Sequence, residues 1–232
     1  MSGSDFDKYV NDYRDIINKV SSISGEQFEF FIQFRLRLMK DRISKTPSLS
    51  NTIKILDFGC GTGATERYLK EFFPEAGIFA IDSSAESIRT AKAMHLDGVT
   101  FVHSDEINVP FPDEYFDVIY SNGTFHHIES AQHETFAKEL SRVCRIGGNI
   151  FIFENNPRNP LMMGAMRKNP FDAGATAIYP ERLHEIIMTA DLSRKEICYY
   201  FFFPKFLRCF RFMEKWLCKI PFGAQYFLWA VK

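Results

Sequence analysis

Hydrophobic residues along the chain form two patterns that follow one another in turn. One is a short apolar run, and the other has apolar residues spaced three and four positions apart. The runs predict strands over 53–56, 77–81, 99–103, 116–120, 149–153, 192–201 and 225–231. Apolar residues three and four positions apart predict helices over 4–19, 25–43, 64–73, 84–95, 130–144, 180–190 and 204–220. Gly147 and Gly148 are expected to end the helix over 130–144. Strands that alternate with helices predict an α/β fold with a mostly parallel sheet.

The first predicted strand runs directly into a glycine-rich turn, within the sequence IKILDFGCGTG over 53–63. Gly59, Gly61 and Gly63 occupy alternate positions, and a helical pattern follows from residue 64. Glycine tolerates positive φ and lets a ligand approach the backbone without a Cβ atom in the way. Free N–H groups at the start of the next helix can bind polar ligand atoms. The turn therefore predicts a ligand site at the carboxyl end of the first strand.

Two acidic residues narrow the kind of ligand. Asp82 ends the second predicted strand, 19 positions after Gly63, where a strand tip would meet an adenosine ribose. Asp57 precedes the turn, and a carboxylate there would repel a pyrophosphate but would suit an ammonium group. The glycine spacing also differs from the Gly-x-Gly-x-x-Gly of dinucleotide sites. A nicotinamide-dependent oxidoreductase is therefore disfavoured.

The stretch LDFGCGTG resembles the first motif of the class I S-adenosylmethionine-dependent methyltransferases. The resemblance is strong over about residues 50–155 and rests on element order elsewhere. It implies a Rossmann-like three-layer sandwich, whose mostly parallel seven-stranded sheet ends in an antiparallel strand, with additional N-terminal helices. It also implies S-adenosylmethionine as the cofactor. We expect an N-terminal helical lid over 1–50 and the methyltransferase domain over 51–232.

The resemblance assigns the cofactor-binding residues by motif. A tyrosine of the lid, Tyr9 or Tyr13, is expected to face the cofactor, although core packing is the alternative role. Asp105, after the third strand, matches the position that meets the adenine amino group. The full set of expected cofactor-binding residues is Tyr13, Asp57, Gly59, Cys60, Gly61, Thr62, Gly63, Asp82, Ser83, Ser104, Asp105, Glu106, Ser121, Asn122 and Gly123.

His126 and His127 follow the fourth-strand motif and are the candidate catalytic residues. Methyl transfer to a hydroxyl requires loss of a proton, and histidine has a pKa near neutrality. The alternative is that one of them caps or packs the following helix. The histidines and carboxylates show no metal-ligand spacing, so no metal is expected.

The acceptor is expected to be a small molecule. The position after the fourth strand reads SNGT instead of Asn/Asp-Pro-Pro-Tyr, which argues against amino methylation of DNA bases or glutamine. The segment 154–180 is rich in Asn, Pro and Gly and lacks periodicity, so it is predicted to be an acceptor-side loop. An oxygen of a sugar, lipid-linked glycan or secondary metabolite is the leading acceptor. The alternatives are a non-catalytic partner subunit and a peripheral-membrane enzyme acting on a lipid such as a quinone precursor.

Composition excludes several classes of protein. The chain has 232 residues and a net charge of −1, so no global field favours nucleic acid. Its five cysteines lack the spacing of a metal site and are odd in number, which argues against a disulfide framework. The N-terminus lacks the apolar core of a signal peptide, and no apolar run approaches roughly 20 residues. These features predict a cytoplasmic protein.

The helix predicted over 204–220 has one basic stripe, formed by Lys205, Arg208, Arg211, Lys215 and Lys219. Its aromatic and aliphatic residues lie mostly on the other side. Such a helix usually buries its apolar face against the domain and leaves the basic edge in solvent. The alternative is weak contact with a membrane surface or a lipid-linked anionic substrate.

Overall fold

The computed structural model describes residues 24–45, 52–104 and 107–232. One sheet contains seven strands: β1 (Lys54–Phe58), β2 (Gly77–Asp82), β3 (Val99–His103), β4 (Phe116–Asn122), β5 (Cys144–Asn155), β6 (Arg194–Tyr200) and β7 (Gln225–Val231). Their order is β3-β2-β1-β4-β5-β7-β6. Strands β1 to β5 pair in parallel, and β7 is antiparallel to both of its neighbours. This sheet confirms the predicted Rossmann-like topology.

Helices cover both faces of the sheet. They are α1 (Phe28–Ile43), α2 (Glu66–Phe72), α3 (Ala85–Lys92), α4 (His133–Val143), α5 (Pro160–Lys168), α6 (Pro180–Met188) and α7 (Glu214–Leu217). Leu56 and Ile119 pack in a core cluster with apolar residues of α4 and α6. Their chain neighbours Ile55 and Val118 pack in a second cluster with residues of α1 and α2. Because successive strand residues point to opposite faces, the two clusters define a three-layer sandwich.

Helix α1 belongs to this sandwich, since its buried residues pack directly on the sheet. The division of the chain at residue 50 stays a prediction. The predicted helix over 4–19 lies outside the described residues. Within the described ranges, no helix combines the length and the apolar character that crossing a bilayer requires.

The structure corrects the boundary between the fourth helix and the fifth strand. Helix α4 ends at Val143, and β5 begins at Cys144, so Gly147 and Gly148 lie within the strand instead of ending a helix. A Cβ atom on Gly148 would lie 2.9 Å from the carbonyl oxygen of Arg145 and 2.7 Å from Cys144 Sγ. Close backbone packing, not helix termination, therefore explains that glycine.

The segment 154–180 is not an irregular loop throughout, because it contains α5 and a 3₁₀ turn over Pro170–Asp172. The side chain of Asn159 caps α5 by accepting a hydrogen bond from the backbone N–H of Met162 at 2.9 Å. Pro160 occupies the first turn, where its missing N–H costs nothing. The cap and the proline therefore mark the start of a helix whose sequence has no clear apolar periodicity.

The prediction of a single helix over 204–220 is wrong. The structure has a 3₁₀ helix over Lys205–Met213, followed by the short α7. Leu207 leaves helical geometry at φ −105° and ψ 20°. The carboxylate of Glu214 accepts hydrogen bonds from the backbone N–H groups of Phe201 and Phe203, at 3.1 and 3.4 Å. These tertiary contacts outweigh the local helical pattern.

Candidate active site

A cavity of about 630 Å³ lies at the carboxyl ends of the central strands. The strand order reverses between β1 and β4, which is the place where open α/β sheets bind ligands. One part of the lining, which we call the glycine wall, comprises residues 57–62, 64, 65, 82–84 and 104. A second part, which we call the aromatic wall, comprises the lining residues of 28–31, 161–171 and 201–206.

Backbone hydrogen bonds fix the turn of the glycine wall. The N–H groups of Gly59 and Cys60 donate to the carbonyl oxygen of Ile81, at 2.9 and 3.0 Å. The N–H of Gly61 donates to Asp82 Oδ2 at 2.7 Å. The turn is therefore tied to the tip of β2 before any ligand arrives.

Two glycines of the turn serve packing, whereas the third opens onto the cavity. A Cβ atom on Gly59 would lie 2.2 Å from Thr124 Oγ1, and one on Gly63 would lie 2.9 Å from Ala91 Cβ. At Gly61, with φ +55°, no described heavy atom outside its chain neighbours lies within 4 Å of that position. Gly61 is thus the point at which a ligand can approach the backbone.

Asp82 holds two backbone segments together. Its Oδ2 atom accepts from Gly61, and its Oδ1 atom accepts from the N–H of Ser84 at 2.8 Å. Ser84 in turn caps α3 by accepting from the N–H of Ser87 at 3.0 Å. Both Ser83 and Ser84 line the cavity, and Ser84 is the residue that caps the helix. Asp82 also lines the cavity, and a carboxylate oxygen can accept more than one hydrogen bond.

A buried pair of acids lies behind the turn. Asp57 is only 2% exposed, and burial together with the charges of Glu66 and Asp82 raises its pKa well above its usual range. Burial raises the pKa of Glu66 to about 8. A cation placed beside this pair would be strongly favoured.

Arg35 supplies a buried cation on the same side of the cavity. Its NH1 group donates to Gln225 Oε1 at 3.2 Å, and the positive charge lowers the pKa of Asp57. The Nε atom is buried without a hydrogen-bond partner in the described part of the chain. Together, Asp57 and Arg35 offer complementary charges to a ligand that has both an ammonium and a carboxylate.

The structure brings most of the predicted site residues to one cavity. Its lining includes Asp57, Gly59, Cys60, Gly61, Thr62, Asp82, Ser83, Ser104, Asn122, Gly123, His126 and His127. Gly63 and Ser121 do not line it, since Gly63 packs against α3 and Ser121 is fully buried in β4. Tyr13, Asp105 and Glu106 lie outside the described residues.

Two carboxylates flank the buried ring of His126. Its Nδ1 atom lies 2.5 Å from Glu154 Oε2, and its Nε2 atom lies 3.4 Å from Asp172 Oδ1. Burial lowers the pKa of His126, but Glu154 and Asp172 outweigh burial and raise the pKa to about 10. Glu154 is itself held by the N–H of Phe125, which donates to its Oε1 atom at 2.9 Å. His126 is therefore an imidazolium that donates from both nitrogens.

His127 has the opposite character. Its side chain is 23% exposed, and its Nε2 atom lies 3.7 Å from Asp172 Oδ1. Burial and the positive charge of His126 lower the pKa of His127 to about 4, against the opposing influence of Asp172. His127 is therefore neutral at neutral pH, with a nitrogen lone pair that can accept a proton.

The same cluster could hold a metal ion by distance alone. His126, His127 and Asp172 each place one ligand atom within 4.8 Å of the others. Chain spacing gave no sign of this cluster because Asp172 comes from a distant segment. However, a doubly protonated His126 has no lone pair to offer a metal. A metal ion at this position would therefore have to displace a proton from His126.

Aromatic and aliphatic side chains from three segments form the aromatic wall. Phe31 and Phe201 meet edge to face, with ring centroids 5.0 Å apart, and Phe30 lies 5.9 Å from Phe201. Helix α5 and the turn after it contribute Leu161, Met162, Ala165, Met166 and Phe171. The segment predicted to face the acceptor thus lines the cavity with these apolar side chains and with an equal number of polar ones, which are Glu154, Asn155, Asn159, Asn169 and Asp172.

Sequence reasoning missed three residues of the site. Arg35 could have been found, since it lies on the apolar stripe of α1 between Ile32 and Met39. Glu154 lies at the end of an apolar strand, and this position alone is a weaker indication that a residue belongs to a site. Nothing local marks Asp172 as the partner of two histidines that lie over 40 positions away.

Comparisons with known proteins identify methyltransferases as relatives of this chain. Residues 55–148 match the family described as "Methyltransferase domain". A trans-aconitate 2-methyltransferase from Azoarcus sp. is 32% identical over 162 residues, which are 67% of this chain and 61% of that protein. A malonyl-[acyl-carrier protein] O-methyltransferase from Bacillus cytotoxicus is 34% identical over 48% of this chain and 39% of its own length. The chain therefore spans less than two thirds of these relatives.

Solved structures share the fold. A SAM-dependent methyltransferase structure from Thermotoga maritima matches with a TM-score of 0.68 over the whole of both chains. The two sequences are 17% identical, so this likeness concerns the fold alone.

Proposed function

From the premise that the chain belongs to the class I S-adenosylmethionine-dependent methyltransferases, we propose that it methylates a hydroxyl oxygen of a small molecule. One observation carries the proposal. The open glycine turn and the neutral ring of His127 line the same cavity. A cofactor held by the glycine turn would therefore share this cavity with His127, a group able to accept a proton.

The glycine wall fits S-adenosylmethionine, the cofactor of this family. Asp57 would hold the ammonium of its methionine portion, and the guanidinium of Arg35, which also lines the cavity, would hold the carboxylate. Asp82 would accept the ribose hydroxyls while it continues to brace Gly61. The open approach at Gly61 leaves room for the ligand. When bound, the cofactor supplies an electrophilic methyl group on a positively charged sulfur.

His127 would act as the general base. Its Nε2 atom accepts the proton of the acceptor hydroxyl. The carboxylate of Asp172 partly offsets burial and the charge of His126, both of which disfavour the imidazolium that forms. His126 is already protonated and locked between Glu154 and Asp172, so it positions the cluster without accepting a proton. The two histidines thus take different roles despite being adjacent in the chain.

The acceptor would place an apolar portion against the aromatic wall. A sugar on a lipid carrier or an apolar secondary metabolite has this character, whereas a free sugar would leave the aromatic wall without a partner. The lack of a basic groove in the sequence argues against nucleic acid. A non-catalytic partner subunit is the second candidate, but the intact glycine turn and the His127–Asp172 pair favour an enzyme.

The test is transfer of tritiated methyl groups from S-adenosylmethionine to a panel of apolar alcohols and extracted lipids. Replacing the base should lower kcat by about 10²- to 10⁴-fold in His127→Ala. Cofactor affinity should stay within about twofold, because His127 touches the acceptor side. His184→Ala, on α6, is the matched control. Equal kcat in His127→Ala would contradict the base assignment, and cofactor binding without transfer to any acceptor would favour the partner-subunit alternative.

A further inference from the structure

The segment 205–222 exposes its aromatic residues instead of burying them. Phe206 is 80% exposed, Phe222 is 67% exposed, and Phe212 and Trp216 are each 63% exposed. No residue of the 3₁₀ helix over Lys205–Met213 is buried in this described segment. Scattered exposed apolar residues are ordinary, but several exposed aromatic side chains within one short segment mark an interaction surface. Phe212 and Trp216 also contact each other, with ring centroids 6.0 Å apart.

Polar residues, rather than apolar ones, anchor this segment to the domain. The buried carboxylate of Glu214 accepts from the backbone of Phe201 and Phe203. Arg211 NH1 pairs with Glu26 at 2.8 Å, and its Nε donates to the carbonyl oxygen of Phe203 at 3.1 Å. An ordinary surface helix buries its apolar side chains and exposes its charged ones, whereas this segment does the reverse at these positions. Its aromatic rings are held outward by charged residues that point inward.

The exposed charges on the segment are all positive. Lys205, Arg208 and Lys215 are exposed, and Lys215 Nζ lies 4.2 Å from the ring centroid of Trp216. Glu214 is the only acidic residue in 205–222, and it is buried. We call the exposed aromatic and basic residues of 205–222 the aromatic–basic face.

The aromatic–basic face continues into the mouth of the cavity. Phe206 lines the cavity and is also exposed, and so is Leu161, at the start of α5. Asn159 Nδ2 donates to the carbonyl oxygen of Phe222 at 2.9 Å, which joins α5 to the face. An apolar acceptor could pass from this surface to the aromatic wall without entering water.

We propose that the aromatic–basic face binds the surface of an anionic phospholipid bilayer, from which the acceptor enters the cavity. Aromatic side chains partition into the interface between headgroups and acyl chains, and lysine and arginine attract anionic headgroups. We infer that the headgroups are anionic because the exposed charges of the aromatic–basic face are positive. The assignment of the acceptor rests on the function proposed above, whereas vesicle binding does not depend on it.

Vesicle co-sedimentation of the full chain tests the proposal. We expect binding to phosphatidylcholine vesicles that contain phosphatidylglycerol, and at least about tenfold weaker binding to pure phosphatidylcholine. Two variants should each lose at least about tenfold in affinity for the mixed vesicles: Lys205→Glu/Arg208→Glu/Lys215→Glu, and Phe212→Ser/Trp216→Ser. Matched controls are Arg67→Glu/Lys92→Glu/Lys138→Glu and Ile146→Ser, which change exposed residues elsewhere.

Tryptophan fluorescence gives an independent readout. The chain has two tryptophans, of which Trp216 is exposed and Trp229 is 1% exposed. Mixed vesicles should shift the emission to shorter wavelength, and brominated lipids should quench it. Trp216→Phe should abolish both effects. A shift that persists in Trp216→Phe would contradict insertion of this face.

The outcomes separate the two proposals. Calorimetry of Phe212→Ser/Trp216→Ser with S-adenosylmethionine should match the unmodified protein, because these residues lie outside the glycine wall. Vesicle binding without cofactor binding would overturn the methyltransferase function and leave the bilayer assignment standing. If the unmodified protein does not bind anionic vesicles, the bilayer proposal is overturned. A dimer that dissociates in Phe212→Ser/Trp216→Ser would then identify the face as a contact between two copies.

Discussion

The two walls of the cavity are built by different means. Main-chain groups hold the glycine wall, where Gly59, Cys60 and Gly61 donate to the tip of β2. Side chains from three distant segments form the aromatic wall, and the buried His126–Glu154 pair lines the same cavity. The backbone of a strand–turn–helix unit has few allowed forms, whereas side-chain packing has many. The glycine wall is therefore suited to one constant ligand, and the aromatic wall to a particular acceptor.

The largest expected difference between the walls is the pH dependence of the free energy of unfolding. In the glycine wall, the pKa of Glu66 rises from 4.5 to about 8, so stability should fall as pH rises through that window. Near the aromatic wall, the pKa of His126 rises from 6.5 to about 10. Its stabilisation is complete below pH 6.5 and should be lost as pH rises through about 10. Each shift corresponds to at most about 5 kcal/mol.

Urea unfolding over the two pH windows measures this difference. Glu66→Gln should flatten the pH dependence between pH 4.5 and 6.5, and His126→Gln should flatten it between pH 8 and 10, which are the parts of the two windows that do not overlap. His184→Gln serves as the control and should change neither. A single variant that flattens both windows would show that the walls titrate as one unit.

The next largest effect concerns cofactor affinity. Asp57→Asn removes the charge that would meet the ammonium, and we expect a loss of about 10- to 100-fold in affinity for S-adenosylmethionine. Met162→Ser, in the aromatic wall, should leave that affinity within about twofold. Titration calorimetry measures both variants. A comparable loss in the two variants would remove the functional separation of the walls.

Arg35 should have a smaller effect on the same measurement. Arg35→Met keeps most of the side-chain volume but removes the guanidinium, so affinity should fall by about tenfold. Arg37→Met, two residues further along α1 and exposed, is the matched control. If the two variants bind alike, Arg35 does not contact the carboxylate of the ligand.

The smallest expected effect is that of metal removal. Because His126 holds two protons between its carboxylates, treatment with a chelator should change methyl transfer by less than about twofold. Elemental analysis of the purified protein should accompany the assay. Loss of activity on chelation, restored by a divalent cation, would instead make His126, His127 and Asp172 metal ligands.

The sequence predicted the fold and most of the glycine wall because both follow local rules. Strand β7 has the predicted bounds, and the predicted order of the strands along the chain is confirmed. Ser84 caps α3 directly before its first residue, where serine is favoured. Each of these depends on residues within one strand–turn–helix unit, so a short window of sequence contains the information.

The rest of the site depends on contacts between distant segments. Asp172 meets the two histidines only because α5 and its following turn fold back over β4 and β5. Residues 205–217 keep a helical pattern, yet the anchors at Arg211 and Glu214 turn the aromatic face outward. Local periodicity contains no information on either arrangement, and the roles assigned to individual site residues stay predictions.

Titration calorimetry with three ligands tests the central claim most directly, namely that the glycine wall binds S-adenosylmethionine through its methionine and ribose groups. We predict one micromolar site for S-adenosylmethionine and for S-adenosylhomocysteine, and no heat with NAD. Both methionine-containing ligands should lose affinity in Asp57→Asn. Binding of NAD, or no binding of either methionine-containing ligand, would contradict the account.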